Sequence, residues 1–375
     1  MNKNSRQKFD RNAPYNQLPL LPIPSEVIDK EIILKWGIAS RFLAELKSNI
    51  LRLPNPGMLI NTVSLQEAKS SSEIENIFTT NDELYRAISD KVNEANANPA
   101  TKEVLHYREA LWAGYNDLII NEVFDVDLIV SIYQRIKNTK EGIRPPQSQV
   151  VIRRGGSELK PGEIIYTPPR GKVILEEKLD NLISYLNENI AHDVDPLLKM
   201  AIAHYQFEAI HPFSDGNGRT GRIINLLYLV KAGLLTQPVL YLSKYIIQNK
   251  EDYYFHLAGV TQRKVWKPWI IFMLDAVEKT SVHTNHLIDE IINQIESTLE
   301  YGKKEIKWYN KEVNEVLFSQ PYVKPITVGN VVGRSSRTTL TKYMKELTDK
   351  KILTPKQVGK EVYYINSDLV RILEG

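Results

Sequence analysis

Apolar positions recur at helical spacing over most of the chain, and the recurrence begins near Ser25. Upstream of it, residues 1–25 are polar and Pro-rich and read as an extended arm. The pattern predicts a helix over about Ile28–Leu51, a break at Pro54–Gly57, and a second helix over Ser64–Ile77. Further helices are expected over about Asp82–Asn96, Pro99–Ile120 and Asp127–Asn138. Residues 141–172 change character. They are rich in Gly, Pro and Arg, and the β-prone stretches Val150–Ile152 and Ile164–Tyr166 flank Gly and Pro turn residues, which is a hairpin signal. Helical spacing resumes over Leu175–Ile190, Asp195–Glu208 and Thr220–Ala232, starts again near Lys250, and persists over Trp269–Tyr301. At the C-terminal end the order changes again: a short helix at Thr327–Val332, a turn, a basic helix at Ser336–Lys350, and strands at Ile352–Lys356 and Glu361–Ile365. That is the outline of a winged helix-turn-helix. The expected fold is mainly α, in three parts: residues 1–125, 126–300 and 305–375.

Composition narrows the chemistry. The chain has no Cys, which excludes disulfides, thiolate-held zinc, iron–sulfur clusters and a thiol nucleophile. Its longest apolar run, about Ile223–Val230, is far short of the about 18–20 residues a membrane span requires, and the N-terminus lacks an apolar signal core, so a cytoplasmic protein with no membrane partner is expected. The net charge of +3 is unevenly spread. Residues 301–375 hold 14 Lys and Arg against 8 Asp and Glu, so the basic character lies in the C-terminal piece.

One segment concentrates reactive residues: His211, Phe213, Asp215, Gly216, Asn217, Gly218, Arg219 and Arg222. It lies between two helical stretches and so forms a loop feeding a helix N-terminus, where unpaired N–H groups and the positive dipole end favour an anion. Gly216 and Gly218 let the backbone approach phosphate oxygens. Arg219 and Arg222, three apart, share one helix face. Asp215 is a hard oxygen ligand suited to Mg2+, and His211 can take a proton near neutral pH. Residues Gly216–Gly221 also satisfy G-x-G-x-x-G, but that fingerprint needs a preceding strand in a βαβ unit, and the preceding pattern here is helical.

The segment matches H-x-F-x-[DE]-G-N-G-R-x-x-R, the motif of the Fic family, at every fixed position, and the chain resembles that family. The resemblance implies a helical core that transfers AMP from ATP, with Mg2+, to a hydroxyl of a target protein. It implies His211 as general base, Asp215 as the Mg2+ ligand, the Gly216–Gly218 backbone and Asn217 as anion hole, and Arg219 and Arg222 on the β- and γ-phosphates. Ser71–Asn76 resembles the family's inhibitory motif, with Ser71, Glu75 and Asn76 at its fixed positions. On one helix face, Glu75 would compete for Arg222, and a solvent-facing Glu is the bland reading. The hairpin at Val150–Pro169, with Tyr166 and Thr167 at its end, resembles the flap that docks the target, or is simply structural. Tyr253 and Tyr254 match a pair near the adenine, or pack in the core. The target protein is not legible. Self-modification, AMP removal by the same site, and a nucleotide-sensing DNA-binding regulator remain open. Arg334, Arg337, Lys342 and Lys345 of the C-terminal piece suit either DNA phosphates or a protein-docking or homo-oligomer role.

Overall fold

The computed structural model describes residues 9–53, 57–89, 91–157, 160–187, 194–334, 336–359 and 361–375. Among these, the chain is mostly helical with two small antiparallel sheets. A 3-10 turn (Ser25–Val27) leads to α1 (Lys30–Ile50), α2 (Gly57–Ile74), α3 (Asn81–Ile88), α4 (Lys91–Asn96), α5 (Pro99–Asn121) and α6 (Val126–Lys137). The hairpin β1 (Ile152–Ser157) and β2 (Lys160–Tyr166) precedes α7 (Lys172–Asn187), α8 (Pro196–Ile210) and α9 (Asn217–Lys231). Then come α10 (Leu242–Gln248), α11 (Lys250–Arg263), α12 (Lys267–Glu305) and α13 (Lys311–Phe318). The chain ends with β3 (Tyr322–Val323), α14 (Pro325–Val332), α15 (Arg337–Asp349), β4 (Thr354–Val358), β5 (Glu361–Ile365) and α16 (Ser367–Glu374).

These elements form two compact units, each assembled from distant stretches. One draws on 1–41, 109–238 and 245–278, the other on 42–108, 239–244 and 279–375.

In the first unit α8 is the central rod. Every residue from Leu197 to Ile210 is buried, including the polar Lys199, His204, Gln206 and Glu208. Asp195 caps its start, accepting from the Leu197 N–H at 2.8 Å, and Pro196 supplies a first-turn residue that needs no donor. α7 and α9 pack along α8, and α6 packs on α9. The N-terminal arm is fastened to the unit. The Tyr15 N–H donates to the Thr167 carbonyl (3.0 Å), the Thr167 hydroxyl to the Arg11 carbonyl (2.7 Å), and Asn181 pairs with both backbone groups of Leu21.

In the second unit, α2 has a buried polar face. Glu67, 1% exposed, accepts from the Tyr107 hydroxyl (3.1 Å), the Ser243 N–H (2.8 Å) and the Ser243 hydroxyl (2.5 Å). Gln66 donates to the Tyr85 hydroxyl at 2.9 Å, and the Ser70 and Tyr241 hydroxyls are 2.9 Å apart. α2 ends at Ile74, three residues before the expected Ile77. Asn76 takes left-handed φ (62°), and the Ile77 N–H returns to the Ser72 carbonyl (3.0 Å), closing the helix. Glu75 therefore lies in the closing turn rather than within the helix.

The C-terminal elements of this unit follow the expected order, with three additions. α13, β3 and α16 were not anticipated, and the sheet has the order β3-β5-β4. α14 and α15 meet closely: a Cβ at Gly329 would lie 2.6 Å from Leu340 Cδ2 of α15. Leu340, Met344 and Leu347 are the buried side of α15. Arg337, Thr338, Thr341, Lys342 and Lys345 are on its exposed side.

Candidate active site

The site lies at the reversal between α8 and α9. α8 closes at His211, whose backbone is left-handed (φ 52°, ψ 60°) and whose N–H donates to the Phe207 carbonyl at 2.9 Å. His211 Nδ1 faces the Glu208 carbonyl at 3.3 Å. A carbonyl can only accept, so this contact favours the proton on Nδ1 and leaves Nε2 as the basic nitrogen. Phe213 is fully buried and stacks flat on Tyr133, with ring centroids 4.0 Å apart.

Asn217 closes the loop. Its side chain accepts from the Phe213 N–H and donates to the Phe213 carbonyl, both at 2.9 Å. The Asn217 oxygen and one of its two amide N–H donors thus hold the loop. Gly216 takes the N-cap position with φ +77°, a conformation in which an L side chain is strained. α9 begins at Asn217, three residues before the expected Thr220, so Asn217, Gly218 and Arg219 form its first turn. Arg219 and Arg222 are among the largest buried side chains of the protein, at 2% and 1% exposure.

Asp215 is the most solvent-facing member of the segment. Its carboxylate accepts from the Gly216 N–H (2.7 Å) and pairs with Lys137 Nζ (2.6 Å). Partial burial pushes its carboxyl up, but the Lys137 hydrogen bond and charge, the Gly216 N–H and the Arg219 charge together hold it below the ordinary value. A single hard, exposed carboxylate fits a Mg2+ ion that keeps waters and takes its other ligands from phosphates.

Glycine 221 sets the spacing of the two helices. A Cβ there would lie 2.7 Å from Glu208 Oε1 and 3.0 Å from Phe207 Cδ1, so side chains of α8 lie directly against the α9 backbone at this point. His204, one turn before Glu208, is 1% exposed. Its Nε2 is 2.9 Å from the Tyr253 hydroxyl, while Nδ1 has no hydrogen-bond partner. Burial, and then the Arg222 charge, take its pKa from 6.5 down to about 3, so it is neutral at physiological pH.

The other residues expected at the site have different surroundings. Tyr166 is buried; its hydroxyl donates to the Ala209 carbonyl (2.7 Å), and its ring contacts those of Phe9 and Tyr15. Thr167 faces the arm through Arg11 and Tyr15. Tyr253 is 2% exposed in a cluster with Trp269 and Phe272, whereas Tyr254 beside it is 37% exposed. Ser71, Glu75 and Asn76 belong to the other unit, where Ser71 is fully buried.

Arg144 is a site residue that sequence reasoning missed. It is 3% exposed, and its guanidinium donates to the carbonyls of His211 (2.8 Å), Pro169 (2.5 Å) and Ile210 (3.4 Å), while its own N–H donates to Pro212 (2.9 Å). It puts positive charge on the carbonyl end of α8 and ties the hairpin's exit to the loop between α8 and α9. Its only sequence signal is an Arg between Gly142 and Pro145 in an irregular stretch.

The fold and site define a helical protein in which a histidine stands beside a helix N-terminus that bears two buried arginines. The model described as "Fic/DOC family" matches residues 123–229, and that described as "Fic/DOC family N-terminal" matches 34–116. Together they cover more than half of the chain, which belongs to the Fic/DOC family. A third, described as "Protein adenylyltransferase SoFic-like, C-terminal domain", matches 287–369. Among curated relatives, Protein adenylyltransferase Fic of Aedes aegypti is 27% identical over 260 residues, covering 68% of this chain and 44% of that protein. Protein adenylyltransferase fic-1 of Caenorhabditis briggsae is 34% identical over 97 residues, covering 25% of this chain and 18% of that protein. The chain thus matches less than half the length of these relatives. The crystal structure of a Fic family protein from Desulfovibrio desulfuricans G20 superposes with a TM-score of 0.52 at 20% identity, covering 92% of this chain and 98% of that one, which establishes the fold.

Two predictions follow from the buried groups. Arg144→Met should lower stability by about 2–3 kcal/mol, because it strips the carbonyls at the α8 end of their charged donor; urea unfolding measures this. Arg144→Lys should recover only part, since an ammonium cannot fork between Pro169 and His211. His204 binds its proton near pH 3 in the folded state and near 6.5 when unfolded, so the unfolded state takes up protons first as pH falls. Its contribution is complete above pH 6.5 and declines below it, by about 1–2 kcal/mol at pH 5. His204→Gln should flatten that part of the pH dependence of the urea midpoint; an unchanged slope would refute the assignment.

Proposed function

We propose that the protein is an adenylyltransferase that moves AMP from ATP to a Ser, Thr or Tyr hydroxyl of a target protein and releases pyrophosphate. One observation carries the reading: a histidine with Nδ1 on a backbone carbonyl stands at the mouth of a helix N-terminus that bears two buried arginines. Nε2 of His211 takes the hydroxyl proton. The hydroxyl oxygen forms a bond to the α-phosphorus as the bond to the bridging oxygen breaks, and pyrophosphate leaves with that electron pair. N–H groups of the Gly216–Gly218 turn, with Arg219 and Arg222, hold the phosphate oxygens, so positioning and charge stabilisation supply most of the rate. Asp215 would hold Mg2+, which neutralises phosphate charge when bound. Tyr166 and Thr167 at the hairpin's end would line the approach of the target, and Tyr254, exposed beside buried Tyr253, would contact the base.

Glu75 restrains the reaction by competing for Arg222. Support for this comes from the Ser71–Asn76 motif and from the turn at Asn76, whose left-handed backbone gives a reason for Asn at that position. The test is transfer of label from ATP carrying 32P at the α-phosphate, with Mg2+ and cell extract as target. Strong labelling by Glu75→Gly, weak labelling by the unmodified chain and none by His211→Ala is expected, with self-modification visible on the chain itself. Absence of labelling by all three would defeat this reading and favour AMP removal or nucleotide sensing.

A second role is favoured by the exposed basic side of α15. In a helix-turn-helix followed by a β4–β5 wing, Arg337, Lys342 and Lys345, with Arg334 just before, suit the phosphates of duplex DNA. Anisotropy of a labelled duplex with the full chain should show binding that weakens with salt, with Lys342→Glu weakening it further. No binding at low salt would assign the module to protein docking or self-association.

A further inference from the structure

Lys137 is the last residue of α6, and its ammonium is 2.6 Å from Asp215 Oδ2. Two features distinguish this contact from a loose surface pair. The Lys137 stem is laid across Gly216, where a Cβ would be 3.3 Å from both its Cγ and its Cδ. One turn earlier, Tyr133 continues the same surface: its ring is 3.7 Å from that Cβ position and stacks on Phe213 of the motif loop. The side chain is 26% exposed against 70% for Asp215, so the lysine is the anchored partner and the carboxylate the accessible one.

We propose that Lys137 is the resting counter-ion of Asp215 and competes there with the divalent cation. This rests on Asp215 being the metal ligand, as in the function proposed above. The ammonium and a divalent ion need the same carboxylate oxygens, and close approach of the two cations is repulsive. Free metal is therefore held weakly. A metal already neutralised by nucleotide phosphates meets less repulsion, because those phosphates accept the displaced ammonium. The site thereby discriminates metal–nucleotide from free metal, and Gly216 is the position that leaves room for the lysine stem.

The test uses Mn2+ as probe, titrated into the full chain without nucleotide and followed by the electron paramagnetic resonance of the free ion. Lys137→Met should bind Mn2+ up to about fivefold more tightly than the unmodified chain, the scale of one lost exposed ion pair. Lys137→Arg, which keeps the charge, should match the unmodified chain, and Lys137→Met with Asp215→Asn should lose the gain. Equal or weaker Mn2+ binding by Lys137→Met overturns the proposal, as does the absence of Mn2+ binding in every version. The readout involves no AMP transfer, so failure of the transfer assay leaves these outcomes distinguishable from failure of the catalytic reading.

Discussion

The chain must reverse between two tightly packed helices without losing the hydrogen bonds of either, and the buried cation of Arg144 makes this possible. The carbonyl end of α8 carries the negative end of the helix dipole and lies inside the protein. Arg144 supplies its donors from a loop far upstream, reaching Ile210 and His211 with the guanidinium and Pro212 with its backbone. The Asn217 amide then closes the loop from the other side by pairing with both backbone groups of Phe213. Between these clamps the backbone of His211 is held left-handed, which costs about 1 kcal/mol or more for a residue with a Cβ. Rigidity here is spent on keeping one imidazole and one helix N-terminus in register.

The same economy governs the second unit. α2 buries Gln66, Glu67 and Ser70, polar residues that a core usually excludes, and each is matched by a hydroxyl or N–H from another segment. A buried carboxylate with three donors fixes a helix in rotation and translation more sharply than apolar packing does, because a small shift leaves the charge unsatisfied. The segment so fixed is the one that ends in the Glu75 turn. The restraint proposed for Glu75 requires that its carboxylate be held in one place, and this polar face fixes the helix that precedes it.

Legibility in the sequence followed the range of the interactions. The catalytic segment was readable because its chemistry is contiguous: His211, Asp215 and the two arginines fall within a dozen residues, and helix periodicity bounds them. The start of α9 was misjudged because Gly216, Asn217 and Gly218 are poor helix formers. The Asn217–Phe213 clip and the Gly216 cap override that preference. Arg144 was invisible for the opposite reason: its partners are backbone carbonyls from 169 and 210–212, which no local pattern connects to it. The limits of α2 shifted because a left-handed Asn76, and not a loss of apolar periodicity, ends the helix. A two-residue strand such as β3 has no period to detect.

Two glycines show how one residue type meets different demands in the site. Gly216 is required by its backbone, since φ +77° is strained for any side chain, and by the lysine stem that crosses it. Gly221 has ordinary helical geometry and is required by its neighbours, because a methyl group would push against Glu208 and Phe207. The first leaves room for the Lys137 stem beside Asp215; the second lets α9, with Arg219 and Arg222, lie close against α8. Arg222 lowers the proton affinity of His204 across that same close contact. Helix spacing, arginine placement and histidine protonation are therefore one constraint, and a change at Gly221 would be felt in all three.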